Sequence, residues 1–119
     1  MSEQKIWSGK VPANIATGVD TGISVSTGDV LTIRATGCIN YGAEAHKLGF
    51  PDGRVKEGMV FDSTKVLKAR FADSGKSYDI GSSVINWPVP EKGTLQLYVA
   101  DTPNGYSDNK GNFDAEVYK

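Results

Sequence analysis

Short runs of alternating hydrophobic and polar residues are the main pattern along this chain. They span residues 31–36, 67–71, 94–99 and 112–118, and each places an apolar residue at every second position. Because successive side chains of a β-strand point to opposite faces, each run is predicted to be a strand with one face on a core. Apolar residues nowhere keep a spacing of three and four positions over three turns, so helices are not expected.

Turn signals that contain glycine separate the predicted strands. They are Thr17-Gly18, Thr27-Gly28-Asp29, Pro51-Asp52-Gly53, Asp73-Ser74-Gly75 and Glu91-Lys92-Gly93. Several short strands at this spacing indicate an all-β fold, with antiparallel strands in a β-sandwich.

Two segments depart from the alternation. Pro88 and Pro90 predict that the run from Val84 to Val89 is an edge or irregular strand, since proline cannot donate to a sheet ladder. The stretch from Gly42 to Gly58 carries charges and turn residues with little alternation. It is predicted to be a long, exposed loop, and such loops commonly carry binding function.

Length and charge narrow the class of protein. The 119 residues fit one domain, predicted to span 1–119, and the formal net charge of -1 disfavours a nucleic-acid partner. No apolar run approaches the roughly 20 residues that span a bilayer, and the first residues lack the apolar core of a secretory signal. The expectation is a chain that is cytoplasmic as synthesised, with release or association with the cell surface left open.

Few residues are available for nucleophilic or transition-metal chemistry. Cys38 is the only cysteine, so an intrachain disulfide is impossible, and it is expected to be a small buried hydrophobe. His46 is the only histidine, which argues against catalytic triads and multi-histidine metal sites. A hydrolase that uses a pair of carboxylates needs no histidine, but a domain of this size offers little room for a deep cleft. An enzyme is therefore not expected.

The segment from Tyr98 to Phe113 has the composition of a site for a hard cation. Between two predicted strands it places Asp101 and Asp108, carboxamides, and two glycines. Calcium takes six to eight oxygen ligands, which a short loop supplies from carboxylates, amide oxygens and backbone carbonyls. The same residue types also form ordinary turns, and Pro103 rules out the spacing of an EF-hand. Composition alone leaves both an ion site and a plain turn open.

Several motifs resemble the PA-I galactophilic lectins of bacteria. The motifs are Trp7-Ser-Gly-Lys-Val-Pro-Ala-Asn14, Gly28-Asp29-Val30, Gly37-x-x-x-Tyr41-Gly42 and Asp101-x-Pro103-x-x-Tyr106-x-Asp108-Asn109-x-Gly111-x-Phe113. They follow the order of that family and cover the chain nearly from end to end, and the last motif is the most specific.

The resemblance implies a jelly-roll-like β-sandwich that assembles as a homotetramer and binds one calcium ion per subunit. Two adjacent hydroxyls of a galactose would bind that ion directly. Tyr41 and Gly105 would ligate it through backbone carbonyls, and Asp101, Asp108 and Asn109 through side-chain oxygens. Tyr41, Asp101, Thr102 and Asp108 would also contact the sugar.

Charge supports this ligand set independently of the resemblance. Asp101 and Asp108 together bring a formal charge of about -2, which balances Ca²⁺ and leaves coordination positions for neutral oxygens of the protein and the sugar.

Recognition of the primary hydroxyl of galactose is less clear in this sequence. The family has a histidine and a glutamine for this contact, in a loop that is shorter here. His46 follows Tyr41 too closely to match that histidine. The local candidates are Asp52, Arg54, Lys56 and Glu57, together with His46, and the alternative for each is a solvated loop face.

Aromatic side chains could also contact a sugar. Trp7 and Trp87 flank predicted strands far in sequence from the calcium segment, so packing in the core or at a subunit interface is favoured over a sugar platform. Tyr106 is expected to brace the ion-binding backbone.

The chain is therefore predicted to be a calcium-dependent lectin without enzymatic activity, specific for terminal D-galactose on glycoconjugates. One alternative is a carbohydrate-binding or adhesive β-sandwich module in which calcium is purely structural. Another is a small hydrolase that uses Asp101 and Asp108 as acid and base.

Overall fold

The computed structural model describes residues 4–15, 17–40, 47–56, 59–62, 65–72, 74–100 and 109–119. Within these ranges the regular structure consists of β-strands alone. The strands are β1 (Lys5–Pro12), β2 (Val19–Val25), β3 (Val30–Asn40), β4 (Lys47–Phe50), β5 (Gly53–Lys56), β6 (Met59–Asp62), β7 (Leu67–Phe71), β8 (Ser77–Asp79), β9 (Ser83–Pro88), β10 (Gly93–Val99) and β11 (Lys110–Tyr118).

The strands form two antiparallel sheets. The first sheet has the order β1-β11-β3-β4-β5-β6, and β9 also pairs with β3. The second sheet has the order β2-β10-β7-β8. Strand β10 belongs to the second sheet and β11 to the first, so the chain crosses between the sheets after Val99. The predicted all-β antiparallel sandwich is confirmed.

The core lies between the sheets and is built by the alternation seen in the sequence. On β7, Leu67, Ala69 and Phe71 are fully buried, while the residues between them are only partly buried. Fully burying a leucine or phenylalanine side chain contributes about 1.5–3 kcal/mol relative to leaving it in water. The four alternating runs of the sequence are β3, β7, β10 and β11, so all four strand predictions are confirmed.

Both tryptophans are partly buried and pack against this core, as predicted. The ring of Trp87 stacks on Phe71, with centroids 6.2 Å apart and planes 24° apart, and it also contacts Tyr78. Trp87 therefore contributes to the packing of the sandwich.

Strand β9 has the irregularity that its prolines predict. Among the described residues it pairs only with β3, and the register shifts between Leu31 and Ile33. Asn86 in this strand has a φ of 52°, and its backbone N–H donates to the Thr32 hydroxyl at 3.1 Å.

The prediction of a long loop over 42–58 is wrong for most of residues 47–56, the part of this stretch that the structure describes. Strands β4 and β5 form a hairpin there, with Leu48 opposite Val55 and Phe50 opposite Gly53. Each strand has only four residues, which is too short for alternation to stand out. Pro51 and Asp52 form the turn between them.

The prediction that Cys38 is buried is also wrong. Cys38 is exposed. On β3, Ile33, Ala35 and Ile39 face the core. Alternate residues of a strand face opposite sides, so Cys38 lies with Arg34 and Thr36 on the outer face of the sheet.

Candidate functional site

One end of the sandwich brings together residues that flank the chain segments predicted to bind the ion. Strand β3 ends at Asn40, β11 begins at Lys110, and these two residues are opposite each other in the antiparallel ladder. Paired residues of such a ladder have Cα atoms about 4.5–5.5 Å apart. Tyr41 follows Asn40 in the sequence, and Asn109 precedes Lys110. This end of the sandwich is called the rim below.

The connection that carries the other predicted ligands begins at the end of β10 in the second sheet. Val99 is opposite Leu67, and the backbone N–H of Ala100 donates to the carbonyl of Val66 at 2.8 Å. Asp101 follows Ala100 in the sequence. Residues 101–108 therefore connect a fixed point in one sheet to a fixed point in the other.

Asn109 is the predicted ligand that the structure describes. Asn109 is only 3 % exposed to solvent, and its Nδ2 donates to the backbone carbonyl of Ala13 at 2.9 Å. A carbonyl oxygen only accepts hydrogen bonds, so this contact fixes which edge of the carboxamide carries nitrogen. Oδ1 occupies the opposite edge of the same planar group.

Ala13 is held against β11 by a second hydrogen bond. Its backbone N–H donates to the carbonyl of Gly111 at 3.0 Å, and its side chain is fully buried. Ala13 thus contacts Asn109, just before β11, and Gly111, within β11. Sequence reasoning missed this residue as part of the site, although it lies in the Trp7–Asn14 motif on which the resemblance partly rests.

The chemistry of Asn109 fits a hard cation. A carboxamide oxygen is one of the neutral ligands that calcium uses, and a low-exposure position limits competition from water. The other predicted ligands, Tyr41, Asp101, Gly105 and Asp108, lie outside the described residues, as do Thr102 and Tyr106. Within the described ranges, histidine, cysteine, aspartate and glutamate form no group of three or more that could hold a metal.

Of the candidates for the primary hydroxyl, Asp52 has a described side chain. Its Oδ1 accepts hydrogen bonds from the Lys65 ammonium at 3.0 Å and from the Ser82 backbone N–H at 2.7 Å. The hydrogen bonds from Ser82 are the main cause of a lowered Asp52 pKa, partial desolvation opposes them, and Lys65 adds to the lowering. Asp52 therefore ties the β4–β5 turn to the turn that precedes β9.

The remaining candidates for that contact are described less fully. Arg54 and Lys56 lie on β5, where their backbone positions are defined, but their side chains are outside the described part of the chain. Glu57 and His46 are outside it altogether. Assignment of the primary-hydroxyl contact stays a prediction.

A shallow groove on the outer face of the first sheet lies away from the rim. Its charged side chains are paired across strands, with Lys10 Nζ 3.1 Å from Asp114 Oδ1 and Lys5 Nζ 3.2 Å from Glu116 Oε2. Each carboxylate therefore has a cationic partner, and the groove provides no isolated acid and base for hydrolysis.

Known proteins identify the fold and the family. The family described as PA-IL-like protein matches residues 6–119. The chain belongs to this PA-IL-like family. It is similar to Lectin A of Photorhabdus laumondii subsp. laumondii, with 37% identity over 111 residues that cover 93% of this chain and 89% of that protein. Among solved structures it is similar to the EclA N-terminal domain, a PllA-like lectin, with a TM-score of 0.87, 40% identity and 96% of each chain covered.

Membership of this lectin family establishes the class of activity. The chain is a carbohydrate-binding lectin and not an enzyme, so the hydrolase alternative is set aside. No helix among the described residues is long and apolar enough to cross a membrane.

Proposed function

We propose that this chain is a calcium-dependent lectin that binds terminal D-galactose on glycoconjugates. The observation that carries the proposal is the pairing of Asn40 with Lys110 at the rim. It fixes the chain directly before Tyr41 beside the chain directly after Asn109. The predicted ligands of these two segments are 60 or more residues apart in sequence, yet the residue before the first segment is paired with the residue after the second.

The ion would be held by five residues of the chain. Asp101 and Asp108 would supply carboxylates, Asn109 its Oδ1, and Tyr41 and Gly105 their backbone carbonyls. The two carboxylates bring about -2 of formal charge, which matches the ion, and the neutral oxygens leave coordination positions for a ligand. When bound, calcium would supply direct coordination to two adjacent hydroxyls of the sugar.

The carboxylates would have a second role as hydrogen-bond acceptors. Sugar hydroxyls are donors, and a hydrogen bond to an ionised acceptor is stronger than one between neutral groups. Asp101 and Asp108 would orient the galactose, and Thr102 would contact the same sugar. These contacts favour a ligand with two suitably placed neighbouring hydroxyls.

A single site of this kind offers few contacts and is expected to bind weakly. Several sites on one assembly would raise the effective strength, because the second binding event becomes intramolecular once the first has occurred. We therefore propose a homotetramer that binds galactose-terminated glycans multivalently. Sedimentation analysis would test the assembly directly.

The test of calcium-dependent binding is retention on immobilised galactose, before and after removal of calcium with a chelator. Asp108→Asn and Asp101→Asn remove one predicted ligand charge each and should weaken retention. Asp114→Asn is the matched control, because Asp114 is exposed on the outer face of β11, where it pairs with Lys10. Its retention should equal that of the parent protein.

Each outcome separates the proposal from its alternative. Loss of retention in chelator, with recovery when calcium is restored, supports coordination of the sugar by the ion. Retention that persists in chelator while the thermal midpoint falls would instead identify a purely structural calcium, with the sugar bound elsewhere.

A further inference from the structure

We infer that the backbone carbonyl of Ala13 is a positioning element for the ion site, because it sets the orientation of the Asn109 carboxamide before any ion binds. This inference rests on the proposed calcium function and assigns a role to a segment 96 residues away from Asn109. The contact itself is a 2.9 Å hydrogen bond from Asn109 Nδ2.

Orientation is decisive because a carboxamide has two chemically different edges. Its oxygen can ligate a cation, whereas its amino group is a donor that a cation repels. Without a partner, rotation by half a turn about the last side-chain bond would exchange the two edges at little cost. A fixed acceptor at the amino edge removes that alternative and leaves Oδ1 at the other edge.

The acceptor is itself rigidly placed. Ala13 is fully buried, and its N–H donates to the Gly111 carbonyl at 3.0 Å. The two hydrogen bonds of Ala13 therefore join it to Asn109, directly before β11, and to Gly111 in β11, which is opposite Ile39 of β3. The carbonyl cannot shift without disturbing this ladder.

Buried outer-sphere hydrogen bonds of this kind are known to matter for metal sites in general. They hold a ligand in one orientation, and their loss typically lowers metal affinity by about 10- to 100-fold. Here the outer-sphere partner is a main-chain atom, so replacing the Ala13 side chain does not remove it. The informative change must be made at Asn109.

The Asn109→Asp variant tests whether the orientation of this side chain or its charge has the larger effect on calcium affinity. The aspartate keeps an oxygen ligand and adds a negative charge, which by itself should tighten calcium binding. It also replaces the donor that faces Ala13 with a second acceptor, so two oxygens would oppose each other across 2.9 Å. If positioning dominates, the variant should bind calcium at least about 10-fold more weakly than the parent.

Asn14→Asp is the matched control. Asn14 is exposed and adjacent to Ala13, so this variant makes the same chemical change and adds the same charge nearby, while the Asn109 contact stays intact. Calcium chloride would be titrated calorimetrically into chelator-treated protein without sugar. The control should bind within about twofold of the parent, because one exposed charge in salt acts weakly.

The results distinguish this inference from the proposed function. If the parent protein binds no calcium, the proposed function fails. If the parent binds and Asn109→Asp binds as tightly or more tightly than Asn14→Asp, the positioning role is overturned and the proposed function stands.

A second measurement covers the case in which Asn109→Asp does not fold. In isotopically labelled parent protein, nuclear magnetic resonance can detect scalar coupling across the hydrogen bond between Asn109 Nδ2 and the Ala13 carbonyl carbon. Coupling should be present both in chelator and in calcium. Its absence in chelator would show that the ion, and not Ala13, orients the carboxamide.

Discussion

Replacement of Gly111 by alanine should destabilise this protein through a specific contact between β11 and β3. Gly111 has a φ of 90°, and a Cβ added there would lie 3.3 Å from the Cys38 carbonyl oxygen and 3.4 Å from Ile39 Cα. Both are main-chain atoms of the paired strand, so they cannot move aside as a flexible side chain would.

Two terms contribute to the expected loss. The left-handed backbone conformation costs a residue with a Cβ about 1–3 kcal/mol. The crowding adds about 1–3 kcal/mol, the usual range for forcing an extra methyl group into packed surroundings. Since whole domains are stable by only about 5–15 kcal/mol, the sum is a large part of the total.

The Gly28→Ala variant measures the cost of the left-handed backbone conformation without the crowding. Gly28 has nearly the same φ, 93°, and a Cβ there would have no other atom within 4 Å. Gly75→Ala provides a baseline, because its φ is outside the unfavourable range and its surroundings are also open. The difference between Gly111→Ala and Gly28→Ala therefore measures the contact alone.

The assay is thermal unfolding followed by circular dichroism, in chelator so that ion binding does not contribute. For a chain of this length, each kcal/mol lowers the midpoint by about 4 °C. Gly111→Ala should unfold about 4–12 °C below Gly28→Ala, and Gly75→Ala should match or exceed the parent. Equal midpoints for the Gly111 and Gly28 variants would refute the predicted contact.

Three further results are expected. Asp101→Ala and Asp108→Ala should lose galactose binding but keep a β-type circular dichroism spectrum, because neither belongs to the alternating core runs; sugar and calcium binding equal to the parent would disprove the assignment. The Asp52 pKa is lowered below its ordinary 3.8. Its contacts should therefore stabilise the fold above that value and lose their effect as pH falls through the folded pKa, so the difference in midpoint between the parent and Asp52→Asn should persist at pH 7 and shrink only as the pH falls below 3.8. If the primary-hydroxyl contact is missing, galactose and its 6-deoxy analogue should bind calorimetrically within about 1 kcal/mol of each other; a larger gap would show that a loop residue makes it.

The strands that could be predicted from sequence are those whose inward positions are all apolar. The pattern does not predict strand β2, because its inward face includes Thr21, which interrupts the apolar series. That threonine is 8 % exposed, and its hydroxyl donates to the Leu95 carbonyl at 2.8 Å and accepts from the Ile23 N–H at 3.2 Å. A buried hydroxyl that is satisfied by backbone groups of its own strand and of a neighbouring strand cannot be distinguished from an exposed one by the sequence pattern.

The candidate site was predictable only in part for a similar reason. Residue types and the family resemblance identified Asn109 as a ligand. Its partner Ala13 has an unremarkable side chain and acts through main-chain atoms, so no pattern of residue types marks it. The pairing depends on how β1 and β11 are aligned, which the sequence does not display.

The pairing of the chain ends determines how this lectin can be attached to something else. Gln4 and Lys119 exchange backbone hydrogen bonds of 3.1 and 2.9 Å, so the two ends of the described fold lie side by side. Strand β11 runs from the rim at Lys110 to Tyr118, a span of about 27 Å at the usual rise per residue. Anything joined at either end, such as a fused domain, a surface anchor or a solid support, would therefore lie at the end of the sandwich opposite the rim. The proposed sugar site would face away from it.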